Sequence, residues 1–230
     1  MKHIVVLSGA GMSAESGIST FRDSGGLWEQ HSVEDVATPE GFSRNPRLVL
    51  DFYNARRKAA FAAKPNKGHV GLAEMEKDYR MSIITQNVDN LHERAGSANV
   101  LHLHGELDKV RSTVDPSLVY TLTPDNAEIK LGDKCEKGSQ LRPHIVWFGE
   151  AVPMMEKAMK TVQTADVLVV IGTSLNVYPA AGLLNYVARE IPVYLIDPNE
   201  VKIYRQGIRF IRKGASEGVA ELRELLKKDI

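Results

Sequence analysis

The chain has 230 residues, enough for one large α/β domain, and 43% of them are hydrophobic, an ordinary share for a globular core. Its 29 basic and 29 acidic residues cancel, so it carries no broad field for nucleic acid or an anionic membrane, and any cationic site must be local. No apolar run reaches the roughly 18 residues of a membrane span, and a single cysteine, Cys135, excludes an internal disulfide framework and agrees with a cytoplasmic protein.

In chain order, residues 3–8 (His-Ile-Val-Val-Leu-Ser) form a β-branched run that predicts a buried parallel strand. The run is too short for a signal peptide and ends at once in a glycine turn. Residues 12–17 favour a helix start. The stretch from Thr20 to Thr38, rich in Gly, Ser, Asp and Glu, reads as a long functional loop. Helical spacing after Pro46 predicts a helix over 46–63, and a second is expected over 68–77. Strands are expected at 81–85 and 100–104. Residues 108–144 are polar and irregular, as in a small β-rich insert or a loop excursion. An apolar run returns at 145–148, followed by a helix at 154–164 and the strongest buried strand of the chain at 166–172. A helix at 179–189, a strand at 192–197 and an amphipathic helix at 215–228 complete the pattern. Strands alternating with helices predict a Rossmann-like, doubly wound parallel sheet with a smaller insert module. Such sheets bind ligands at the carboxyl ends of their strands.

Directly after the first strand, Gly9-Ala10-Gly11-Met12-Ser13-Ala14 fits G-x-G-x-x-G/A. Glycines there let the backbone approach a pyrophosphate, and the following helix start offers N–H groups to it. A dehydrogenase would place an acidic residue at the end of a second strand about 20 residues on. Here that region is loop, Phe21-Arg22-Asp23-Ser24-Gly25-Gly26. A nucleotide can bind, but the hydride-transfer layout is missing.

Five boxes in order then resemble the sirtuin family. They are Gly9 to Ile18 with Phe21-Arg22-Asp23, Thr85-Gln86-Asn87-Val88-Asp89-Asn90-Leu91-His92, His102-Leu103-His104-Gly105, Val146-Trp147-Phe148-Gly149-Glu150, and Gly172-Thr173-Ser174-Leu175 with Val177-Tyr178-Pro179. The resemblance implies one catalytic domain over 1–230, with a helical insert at about 28–75 and a reduced module at about 108–144. It also implies a reaction that joins NAD, as co-substrate, to an acyl-lysine of a protein or peptide. Nicotinamide leaves, a histidine deprotonates a ribose hydroxyl, and the free amine and an O-acyl-ADP-ribose are released. No nucleic acid and no membrane enter this scheme.

By the same resemblance His104 is the general base, a role that suits an imidazole titrating near neutrality. His102 and His92 are its competitors. Asn87 and Asp89, with Ile18, are expected to line the nicotinamide pocket, since a carboxamide needs a donor and an acceptor. Gln86 is expected at the nearby ribose, Arg22 near the phosphates and Phe21 as a shield over the reactive sugar. Gly9, Ala10, Gly11, Ser13 and Ala14 form the phosphate loop. Gly172, Thr173 and Ser174 face the adenosine side, Asp197 or Asn199 its ribose, and Ala215 the adenine. Val146, Trp147, Phe148 and Gly149 are expected to pair with the substrate backbone as an added strand.

Tyr53 and Arg56 stand at i and i+3, on one face of the expected helix. The branch of sirtuins that prefers acidic acyl groups carries such a pair. A guanidinium grips a carboxylate in bidentate fashion, and a phenol adds a donor. The resemblance therefore implies removal of succinyl and malonyl groups, with acetyl also within reach. Arg57 is expected to point elsewhere. Most sirtuins hold zinc with two Cys-x-x-Cys pairs in the insert. Here only Cys135 is present, Ser112 stands where a first cysteine is expected, and no structural zinc is predicted. The competing readings are a sirtuin-like ADP-ribosyltransferase and a non-catalytic module that binds NAD or acyl-lysine.

Overall fold

The computed structural model describes residues 1–18, 31–201, 203 and 205–229. Its centre is a parallel sheet in the order β3-β2-β1-β7-β8-β9, built from β1 (His3–Ser8), β2 (Arg80–Thr85), β3 (Val100–His102), β7 (Val167–Ile171), β8 (Val193–Ile196) and β9 (Ile208–Ile211). The order reverses at β1, so the ends of β1, β2 and β7 flank the crevice where such sheets take ligands.

Alternation along the strands explains why both faces are covered. Ile4, Val6, Val167, Val169 and Ile171 point into one core, while Val5, Leu7, Leu168 and Val170 point into the other. The first core is closed by α5 (Lys67–Glu74) and α8 (Ala215–Asp229), and the second by α7 (Met155–Gln163) and a 3-10 segment, Ala180–Tyr186. Glycines set the closeness of the first layer: a Cβ on Gly71 would lie 2.8 Å from Val219, and one on Gly218 2.1 Å from Ile196.

A second, antiparallel sheet, β5-β4-β6, comprises β4 (Gly105–Ser112), β5 (Val119–Thr121) and β6 (Leu141–Ile145). The helix α4 (Pro46–Ala62) lies against it, with Val49, Phe52, Tyr53, Leu107, Ile145 and Trp147 in one shared cluster. Asn45 caps α4 by accepting from Leu48 N–H, and Pro46 occupies its first turn.

Of the two readings of residues 108–144, the small β-rich insert is the one found, with Leu50, Val110, Leu122 and Ile129 as a small core of its own. Other expectations are corrected. The expected loop to Thr38 contains α2 (Val33–Val36), followed by α3 (Pro39–Arg44); Ser32 and Thr38 cap them through Asp35 N–H and Gly41 N–H. The helical stretch at 28–75 divides: α2, α3 and α4 serve the small sheet, whereas α5 belongs to the main core. The helix expected at 12–17 is one turn, α1 (Gly11–Ala14), and a further single turn, α6 (Leu91–Arg94), follows β2. The helix expected at 179–189 is 3-10. Strand β9 was not foreseen, because Ile-Arg-Phe-Ile is only four residues long and half exposed. Among the described residues no helix is long and apolar enough to cross a membrane.

Candidate active site

The loop after β1 and the loop after β7 are packed backbone against backbone. Gly9 N–H donates to Ile171 O at 2.9 Å and Gly11 N–H to Gly172 O at 2.8 Å. A Cβ on Gly11 would lie 2.7 Å from Gly172 Cα, and Gly172 itself takes φ +60 with Met12 N 2.3 Å from any added Cβ. These glycines are thus required first for the fit of the two loops to each other. The phosphate-loop expectation needs one revision. Met12 N–H and Ser13 N–H donate to Gly9 O and Ala10 O, so the helix start offers fewer free donors than the motif promised. A one-turn helix also has little macrodipole.

Beside this loop, Ser13, Asn87 and Asp89 form a buried chain. Asn87 Nδ2 donates to Ser13 Oγ at 3.1 Å, and Ser13 Oγ donates to Asp89 Oδ2 at 3.0 Å. Leu91 N–H holds Asp89 Oδ1 at 3.1 Å. Burial raises the Asp89 pKa, against the two hydrogen bonds that favour its anion. Ile18 is partly buried and packs against the α4 cluster. Gln86 bridges the ends of β2 and β7, its Nε2 donating to Thr173 Oγ1 at 3.1 Å. Thr173 Oγ1 also accepts from Leu175 N–H at 3.2 Å.

Three histidines stand near these strand ends, and their contacts separate them. His92 is 1% exposed, bonded through Nε2 to Ser8 Oγ at 3.0 Å, and burial holds its pKa well below the usual value. His102 has both nitrogens engaged, Nδ1 with Asn87 O at 3.0 Å and Nε2 with Glu93 at 2.7 Å. Burial pulls its pKa down, but the Glu93 carboxylate outweighs that, so it is raised. His104 lies in the bend between β3 and β4, not in a strand, because β3 ends at His102. Its Nδ1 is 3.2 Å from Gln86 O, which makes Nδ1 the donor and leaves Nε2 as the ring's acceptor. Burial lowers the His104 pKa and the Gln86 bond partly restores it.

On α4, Tyr53 is 1% exposed. Its Oη accepts from Trp147 Nε1 at 3.0 Å. The Arg56 guanidinium carbon is 5.7 Å from the Tyr53 ring centre and 5.6 Å from that of Phe52. Burial lowers the Arg56 pKa below the usual guanidinium value, and Tyr53 and Asp89 are near enough to counter it. Arg57, on the other face, reaches into the small sheet and donates to Leu107 O at 2.5 Å and to Asn54 Oδ1 and Ala127 O at 2.8 Å. The sequence reading of Arg57 as the residue that turns away agrees with this.

Other expected positions fare differently. Ala215 is 3% exposed and packs on Gly68 in the main core, which leaves its methyl almost no surface for an adenine. Asn199 is exposed after β8 and donates its N–H to Asp197 Oδ1 at 2.8 Å, so the two stay side by side. Ala14 is exposed and Ala10 half-buried. In Val146–Gly149 the donors of Val146, Trp147 and Phe148 are already used by His104 O, Glu150 Oε2 and Ala37 O. An added strand would have to use carbonyls and Gly149 instead. Phe21 and Arg22 lie outside the described residues. Sequence reasoning missed Glu15, whose Oε1 accepts from Ser216 N–H at 3.0 Å and so ties the phosphate loop to the start of α8. A polar residue inside a glycine motif gave no signal of so distant a partner.

At the Cys135 turn, the sulfur lies 3.3 Å from Ser112 Oγ and 3.2 Å from Ser139 Oγ. One thiol and two hydroxyls do not match a tetrahedral thiolate zinc site. Among the described residues no group of three or more metal-ligating side chains converges.

A parallel sheet with a glycine crevice at its switch point, and a polar cluster beneath it, defines a dinucleotide-using α/β protein. The Sir2 family model matches residues 9–179. The chain belongs to the Sir2 family. It is 62% identical to a protein of Bacteroides thetaiotaomicron named NAD-dependent protein deacylase, covering 98% of each chain. It is 53% identical to a Helicobacter pylori protein of the same name, covering 96% of each. A Sir2 homologue solved with NAD superposes with a TM-score of 0.89 at 42% identity, over 99% of this chain and 90% of that one. A Sir2 protein solved with a deacetylated p53 peptide and 3′-O-acetyl-ADP-ribose gives 0.82 at 29%, over 96% and 92%.

Proposed function

We infer that this protein, an NAD-dependent protein deacylase of the Sir2 family, removes acidic acyl groups, succinyl and malonyl, from lysine side chains. The observation that carries the reading is the Tyr53–Arg56 pair. A cation and a phenol share one face of α4, with Arg56 close enough to Asp89 and Tyr53 to feel both. A carboxylate at the end of an acyl chain offers Arg56 the anion that offsets its burial.

NAD supplies the electrophilic sugar carbon when bound. The chain's residues do the rest. Asn87, Asp89 and Ile18 hold the carboxamide end, and Gln86 with Thr173 the ribose side. Gly9, Gly11, Gly172 and Ser174 give the phosphates close access to main chain. His104, held by Gln86 O, takes the ribose-hydroxyl proton on Nε2, and its depressed pKa keeps that nitrogen free at neutral pH. His102 and His92 are the weaker candidates: both nitrogens of His102 are engaged, and His92 is 1% exposed and tied to Ser8 through Nε2. The lone thiol at Cys135 supports a metal-free module, which elemental analysis of the purified protein tests directly: one zinc per chain would refute it.

The deciding experiment sets acetyl-, malonyl- and succinyl-lysine peptides side by side with NAD and measures nicotinamide and free lysine. The acidic acyl peptides are expected to give the higher kcat/KM. In Arg56→Met the desuccinylation is expected to fall by about one to two decades, the value of a lost charge-assisted contact, with deacetylation much less affected. Equal loss on all three peptides would remove the acidic-acyl reading, and transfer of labelled ADP-ribose to protein would favour a transferase.

A further inference from the structure

The Tyr53 hydroxyl has a fixed polarity. An indole N–H can only donate, so at the 3.0 Å contact with Trp147 Nε1 the phenol oxygen must accept. Its own proton is therefore directed elsewhere, and among the described residues no group accepts it. The indole is held in turn from both ends. The Arg142 guanidinium stacks on its face, 3.4 Å from the ring centre. Glu150 takes two bonds from that guanidinium, at 2.8 and 3.0 Å, and accepts Trp147 N–H at 2.8 Å. Phe42 closes the remaining side at 5.3 Å. Trp147 is 2% exposed and Tyr53 1%, so water does not compete for either polar atom.

We propose that Trp147 is a positioning residue for acyl specificity: clamped by Arg142 and Glu150, its indole N–H occupies the Tyr53 oxygen and turns the phenol proton toward the acid group of the acyl-lysine. The inference rests on the acidic-acyl reading above. Burial also raises the Tyr53 pKa, so the proton is present throughout the working range. The arrangement rewards an acceptor at the end of the acyl chain and gives nothing to an acetyl methyl, so the contact acts on selectivity rather than on the chemical step.

The test is a cycle of Trp147→Phe, Tyr53→Phe and the double variant, assayed on succinyl and acetyl peptides. Trp147→Phe keeps an aromatic face for Arg142 and removes the donor together with part of the ring's volume, which bears on both peptides alike and so cancels in their ratio. Loss of one neutral hydrogen bond predicts a fall of about two- to tenfold in the succinyl-to-acetyl ratio of kcat/KM, carried mainly by KM for the succinyl peptide. In Tyr53→Phe the second substitution should change the ratio no further, because its target is gone. A ratio unmoved by Trp147→Phe, or independent effects of the two substitutions, would overturn the proposal. The control is Arg56→Met: if it too leaves the ratio unmoved, the acidic-acyl reading has failed, whereas a ratio sensitive to Arg56 but not to Trp147 defeats only this inference. Should Trp147→Phe fold poorly, the indole proton reports directly. The chain has two tryptophans, and the Trp147 Nε1–H resonance is expected to move upfield in Tyr53→Phe; no movement would count against the bond.

Discussion

An imidazole that donates from Nδ1 to a main-chain carbonyl can act as a base only while its Nε2 is unprotonated. Burial sets the His104 pKa below 6.5, with the Gln86 bond opposing. The acid limb of the activity profile is therefore expected to lie below pH 6.5, with the rate rising as pH climbs through it and flat toward neutrality. His104→Ala should remove about 10²–10⁴-fold of turnover while NAD still binds, measurable by nicotinamide release and by calorimetry. An acid limb above pH 7, or a variant that keeps full rate, would take the base assignment away from His104. At this scale the sequence was most informative: the boxes named His104, Asn87 and Asp89 directly. It preferred His104 to His102 and His92 only by its place before Gly105; the contacts that set the rings apart, from Glu93 and Ser8, reach them only through the fold.

Helices and strands position these groups through contacts that propensity alone misjudges. Gly218 lies inside α8, where Gly→Ala normally gains about 1 kcal/mol. Here the new Cβ would stand 2.1 Å from Ile196 Cγ2, in a strand residue 1% exposed. Overpacking of that kind costs about 1–3 kcal/mol, so Gly218→Ala is expected to lower the denaturation midpoint. A higher midpoint would show that the layer can open. Arg57 offers the converse case, a charge that serves as a tie. It binds Leu107 O and Ala127 O from α4, joining the acyl-side helix to the small sheet. Arg57→Met leaves two main-chain carbonyls without their donor and is expected to cost about 3 kcal/mol, seen as a lower melting temperature and faster proteolysis within 105–145. Unchanged melting would mean that the small core around Val110 suffices by itself.

Over the whole molecule, a pair of buried histidines sets the acid limit of the fold. His69 and His92 pack ring against ring at 4.8 Å, next to the β1 and β2 ends. Burial drives the His69 pKa down from 6.5 to about 4 and His92 well below its usual value. Both are neutral when folded and take up protons on unfolding. Their stabilising contribution is complete above pH 6.5 and is lost as pH falls from there toward 4. For His69 alone the loss approaches about 3 kcal/mol at the low end. Urea midpoints measured between pH 7 and 4.5 should fall steadily, and His69→Gln should flatten the slope; a pH-independent midpoint would contradict it.

What the sequence determined by itself is the alternation of buried strands and helices, the glycine turn after β1, and the residue types gathered at the strand ends. Those follow from local chemistry: β-branched runs, backbone freedom at glycine, and the donor or acceptor character of side chains at fixed spacing. Only the tertiary structure decided that the glycines fit two loops together. It also decided that Ala215 belongs to the core, that Glu15 ties the loop after β1 to α8, and that Trp147 Nε1 donates to Tyr53 Oη. The physical reason is distance along the chain. Glu15 and Ser216 are 201 residues apart, and Tyr53 and Trp147 are 94 apart, and no local pattern encodes which distant atom will meet which.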